Sequence, residues 1–160
     1  MPGSGNQLLA SLKTDDFDLL EPHLESVTLA VRKHLEKPNQ RIDAVYFPES
    51  GFASVVAVQS SGKQVEVGLI RRDGMTGLPV VLGNHRSPHS TYIQAAREGK
   101  CIPSKELRNA QQPVAPRLLV EVRAGVRRAD LSHRNLQRAV QVGPAIGVRL
   151  LMADDHLHER

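Results

Sequence analysis

The stretch from Asp43 to Gly83, DAVYFPESGFASVVAVQSSGKQVEVGLIRRDGMTGLPVVLG, constrains the fold more than any other part of the chain. Apolar residues alternate along it and are interrupted at short intervals by Pro48 to Gly51, Ser60 to Gly62 and Asp73-Gly74. Successive side chains on a strand point to opposite faces, so this pattern predicts short antiparallel strands joined by tight turns. Phe52 to Gln59 and Gln64 to Ile70 are two of them, with Ser61-Gly62 turning the hairpin. Val45 and Phe47 alternate with Ala44 and Tyr46 up to Pro48, whose missing donor ends pairing. Upstream, Val27, Leu29 and Val31 alternate with Ser26, Thr28 and Ala30 as a strand with one buried face.

The remaining segments fill in the outline. Asn6 caps a short helix through Ser11, and a second helical piece follows from Asp15, limited by Pro22. His34 to Arg41, with Pro38-Asn39, reads as a polar turn, and Leu78 to Leu82 as an apolar segment between two loops. Thr91 to Arg97 and Lys100 to Pro103 read as a last strand pair around Glu98-Gly99, after which Ser104 caps a helix beginning at Lys105. About seven short strands cannot each bury a face in one open sheet. The expected architecture is therefore mainly β, a double-stranded β-helix or jelly roll with short flanking helices and an irregular C-terminal tail.

Composition limits the functional classes. At 160 residues one domain is expected, and an aromatic fraction of 3% leaves its core to Val, Leu, Ile and Ala. A net charge of +4 leaves room for an anionic partner. Residues 1–112 are nearly balanced, with 13 basic and 12 acidic side chains; residues 113–160 carry 8 and 5, and all eight are arginines. The lone Cys101 excludes an internal disulfide and any multi-cysteine metal site. Neither a signal peptide nor a membrane span is visible, so a cytoplasmic, soluble chain is expected, with no membrane partner.

Four segments, in order, are NQLLASL at Asn6 to Leu12, VYFPESGFASVV at Val45 to Val56, VEVGLIRRDGMTGLPVVLG at Val65 to Gly83, and CIPSKEL at Cys101 to Leu107. Together they resemble the effector-sensing, cyclic-nucleotide-binding-like domain of the Crp/Fnr transcription regulators. The resemblance runs from Asn6 to about Ala110, so residues 6–110 are expected to form the sensor domain and 111–160 a degenerate or truncated dimer-helix region. It implies a regulatory, non-enzymatic role, a small-molecule effector, and action as a homodimer or as a heterodimer with a full-length regulator. In that family a helix-turn-helix follows; the chain ends at Arg160, so direct DNA binding is not expected of it alone. The resemblance places effector contacts on the loop of Gly74, Met75, Thr76, Gly77 and Leu78. Cyclic-nucleotide binders carry a glutamate where Leu78 stands and an arginine before a Ser/Thr-Ala pair, which this chain lacks around Pro88 to Thr91. Arg71 stands where a glycine is usual. Tight cyclic AMP binding is not expected.

The tail departs furthest from the family. Pro113, Pro116, Gly125, Gly143, Pro144 and Gly147 interrupt the region where a dimer helix belongs, and an interior proline costs about 3 kcal/mol. Yet RLLMADDHL at Arg149 to Leu157 resembles the family again. A compensated frameshift joins these facts: LSHRNLQRA at Leu131 to Ala139 can be encoded so that a one-base shift reads SHTAISNA, similar to dimer-helix sequence. The gene's nucleotide sequence tests it.

Other chemistry reads as structural. Neither a catalytic group, a metal nor a cofactor is expected. Glu49 and Glu66 sit on different strands and make no acid–base pair. His85 and His89 flank Pro88 without a third ligand, and His156-x-His158 with Asp154 and Asp155 lies at a terminus. Cys101 reads as a small core residue rather than a redox thiol. Arg123, Arg127, Arg128, Arg134 and Arg138 lack interleaved aromatics and read as a solvated surface rather than a phosphate-binding one. The stripe Leu118, Leu119, Val122 reads as a docking face on the sandwich. The competing reading is a cupin-like metal-dependent enzyme, which would need a His-x-His pair, a glutamate and a later histidine on inner strands. A third is an interaction module that heterodimerises with an intact regulator.

Overall fold

A computed structural model describes residues 5–95 and 97–110. The sequence readings for residues 111–160, including the broken dimer helix, the arginines and the terminal histidines, lie outside the described residues. Two helices open the fold, α1 (Gln7–Ala10) and α2 (Thr14–Leu20). Strands β1 (Glu25–Leu29), β2 (His34–Glu36), β3 (Ala44–Pro48), β4 (Phe52–Val58) and β5 (Gln64–Ile70) follow. A short helix α3 (Leu78–Val81) precedes β6 (Ser90–Ala95), β7 (Arg97–Pro103) and α4 (Ser104–Asn109). The strands form two antiparallel sheets, ordered β1-β7-β3 and β2-β6-β4-β5, which is the expected jelly-roll division.

Alternation along β3 sets where the cores lie. Val45 and Phe47 are fully buried and pack against the helices, in a cluster with Leu8, Leu9, Leu20, Ile42, Met75, Val80, Ile102 and Leu107. Tyr46, on the opposite face, packs against the second cluster of Leu29, Ala53 and Ile93. The larger core is thus between the three-stranded sheet and the helices. A slip in register between Val55 and Val56 opposite β5 lets Ala53 and Val56 both turn inward, three residues apart.

Three local expectations are corrected. The polar run after Val31 is not all turn, because His34–Glu36 pairs with β6. Glu98-Gly99 is not a hairpin. The chain leaves the four-stranded sheet after Ala95, and Gly99 lies within β7, opposite Val27 on one side and Pro48 on the other. Glycine is required there by close approach: a Cβ would come within 2.8 Å of the Phe47 carbonyl oxygen and 3.0 Å of a Leu29 methyl. Nor does Ser104 cap α4. It is the first helical residue, after Pro103, and its hydroxyl is buried with no hydrogen-bond partner. The apolar segment between two loops is helical over Leu78–Val81, with Leu82 as its C-cap.

Candidate functional site

The glycine loop leaves β5 at Ile70 and is drawn into the molecule at once. Asn6, fully buried, holds its start: the side-chain amide donates to the Pro48 carbonyl (2.8 Å) and the Gly74 carbonyl (3.0 Å). Its Oδ1 accepts from the Leu9 amide (3.1 Å), capping α1 as the sequence predicts. One side chain therefore ties the first helix, the end of β3 and the loop together. Arg71 does not have left-handed backbone; among non-glycine residues described, only Arg32 and Asn39 do. Its Cβ causes no backbone strain.

The five residues singled out in the loop have different surroundings. Met75 belongs to the helix-side core. Thr76 is buried and doubly joined to β3: its amide donates to the Tyr46 carbonyl (2.9 Å), and its hydroxyl accepts from the Tyr46 amide (2.9 Å). Gly77 has φ 67°, a left-handed conformation that favours glycine, and a Cβ there would lie 2.6 Å from a Val45 methyl. Leu78, half-buried, opens α3. Gly74 donates its amide back to the Arg71 carbonyl (3.0 Å).

The residue that sequence reasoning missed is Glu36. It lies on the three-residue β2, is 7% exposed, and accepts from the Gly77 amide at 2.7 Å. Burial pushes its carboxyl above the usual range, against the opposing pull of the Gly77 amide and the Ser87 hydroxyl. That hydroxyl also reaches the His89 carbonyl (2.9 Å), and its single proton serves one acceptor at a time. A carboxylate thus sits on an amide of the loop where an anionic ligand would look for donors. No motif announces it; the only signal is an acid two residues into a run otherwise read as turn.

The other candidates are placed as follows. Glu49 accepts from the Gly5 amide and Glu66 from the Ser54 hydroxyl, so each has its own structural partner. Burial raises the Cys101 thiol, as does Glu25, with Lys33 opposing; a raised thiol is a poor nucleophile. His89 is half-buried, its pKa lowered by burial, and its Nε2 is enclosed without a hydrogen bond. Among the described residues no group of three or more His, Cys, Asp or Glu is placed to hold a metal. None of their helices is long and apolar enough to cross a membrane.

No family model matches the chain, and no curated protein matches it in sequence. Solved structures do match. The regulatory subunit of a cAMP-independent protein kinase A from Trypanosoma brucei, a mutant bound to cAMP, aligns over 80% of this chain with a TM-score of 0.63 and 14% identity. This chain covers 48% of that protein, about half its length. The N-terminal domain of a transcriptional regulator from Streptomyces coelicolor A3(2) aligns over 79% of this chain and 88% of its own, at TM-score 0.54 and 16% identity. The c-di-GMP responsive global regulator CLP of Xanthomonas campestris aligns over 74% of this chain and 60% of its own, at TM-score 0.58 and 16% identity. At such identities the likeness is one of backbone shape, and in that shape the chain is a jelly roll with the fold of a cyclic nucleotide-binding domain.

Proposed function

We propose that residues 6–110 are the effector-sensing domain of a Crp/Fnr-type transcription regulator, non-enzymatic and cytoplasmic. A small molecule meets the loop at Gly74, Met75, Thr76, Gly77 and Leu78, and the chain acts as a homodimer or as a heterodimer with a full-length regulator. One observation carries this reading: Met75 of the loop, Val80 and Val81 of α3, and Leu107 of α4 share one buried cluster. Interiors are close-packed, so displacing the loop displaces the exit helix. The four quoted motifs and the likeness to a regulator's N-terminal domain support it. Glu36 already takes the Gly77 amide, which removes that donor from a cyclic phosphate at that point.

Amide-resolved NMR on the full chain, screened against small metabolites, tests this. A ligand that shifts Gly77 and Leu107 together supports it. A ligand seated on the loop that leaves Leu107 unmoved overturns the coupling. Stoichiometric iron, manganese or zinc in the purified protein would favour the cupin-like enzyme instead.

A further inference from the structure

A second feature does not use the residues of the glycine loop. Arg41, His85, Arg86 and Arg108 line one cleft of about 330 Å³. Three segments deliver them: the β2–β3 connection, the loop after α3, and the last turn of α4. Arg41 and Arg86 face each other across an antiparallel bridge, held by the Ile42 amide on the His85 carbonyl (2.9 Å) and the Ser87 amide on the Gln40 carbonyl (3.4 Å). Like charges opposed across such a bridge repel. Arg108 approaches His85 instead, Nη1 to Nδ1 at 3.4 Å, and Arg86 donates to the Asn39 carbonyl. Among the described residues the one carboxylate in reach is Asp43, 3.6 Å from Arg41 Nε, and both side chains are largely exposed. Exposed pairs of that kind neutralise little.

We propose that this cleft is a binding site for a small phosphate-bearing anion, its guanidinium groups providing planar, forked donors from separate segments. The concave shape and small volume favour a free phosphorylated metabolite over a nucleic-acid backbone, which needs an extended basic track. Because Arg108 belongs to α4 while Arg41 and Arg86 belong to the roll, a bound anion ties the exit helix to the sheet.

Isothermal titration of the full chain with inorganic phosphate and with pyrophosphate tests the site. Saturable 1:1 binding is expected, weakened about tenfold or more in Arg86→Gln and in Arg108→Gln, and less in Arg108→Lys. Circular dichroism identifies any variant that fails to fold, and Arg108→Lys, which keeps the charge in the last turn of α4, retains an interpretable readout. No binding by the wild-type chain, or binding indifferent to all three substitutions, overturns the proposal. So does tighter, length-dependent binding of a DNA duplex that displaces pyrophosphate.

Discussion

Two buried polar side chains decide how the loop is held, and they differ in how visible they are. Asn6 is legible because an Asx residue before an apolar helical stretch is a cap, although its further bonds to Pro48 and Gly74 are long-range and leave no local trace. Replacing it with Ala removes the cap and leaves one buried and one part-buried carbonyl short of a donor. Asn6→Ala should cost about 2–4 kcal/mol in urea unfolding; a loss under about 1 kcal/mol would mean that water or neighbours take over those bonds. Glu36 is illegible, since only the fold brings Gly77 to it. With its folded pKa raised, the native chain holds a proton that the unfolded chain has lost, so stability falls as pH rises through the window above the ordinary glutamate range. Glu36→Gln keeps an acceptor for Gly77 without the charge. The variant should match the wild type at low pH and equal or exceed its stability at neutral pH, measured by denaturant titrations across that window. A variant that is less stable at neutral pH would show the charge to be stabilising.

At the scale of elements, strands with one apolar face and a glycine turn at each end are readable from period alone, and β3, β4 and β5 fall within a residue of where alternation places them. β2 escapes because His34-Leu35-Glu36, one apolar residue between two polar ones, is too short to show a period, and it becomes a strand by pairing with β6. α3 escapes because Leu-Pro-Val-Val carries no helical period in four residues. Glu98-Gly99 misleads for a different reason: glycine in a strand and glycine in a turn look alike, and here it is the approach of Phe47 and Leu29 that requires it. The loop residues Met75, Thr76 and Gly77 could be singled out by their glycines, but not that Met75 faces core and Thr76 faces β3. Gly99→Ala should therefore destabilise by roughly 1–3 kcal/mol, since the obstructing atoms include backbone of β3 that cannot swing away. A thermal melt unchanged from wild type would show that β3 and β7 separate more easily than their pairing implies.

For the whole molecule, the division into two cores matters more than the strand count. The helix-side core carries the loop, α3 and α4 together, whereas the space between the sheets holds the smaller cluster of Leu29, Ala53 and Ile93. The loop is thus packed with α3 and α4 rather than with the cluster between the sheets. The backbone shape is similar to that of a protein bound to cAMP, yet this chain lacks the side chains that the resemblance associates with tight nucleotide binding. Leu78 offers no carboxylate to a ribose, and Glu36 brings a carboxylate to the amide of Gly77. The consequence is quantitative. A ligand at a hundred times its dissociation constant stabilises a folded chain by about 2.7 kcal/mol, and each kcal/mol raises the melting temperature of a domain this size by about 4–8 °C. Cyclic AMP at about 1 mM should instead move the melting temperature by less than about 1 °C, because its affinity should not reach that concentration range. Repeating the melt with Glu36→Gln separates the two causes. If the substitution alone gives cyclic AMP a clear shift, the buried carboxylate is what turns the nucleotide away; if neither chain responds, the side chains missing at Leu78 and around Pro88 to Thr91 suffice. A shift of many degrees in the wild-type chain would overturn both accounts and make the domain a nucleotide sensor after all.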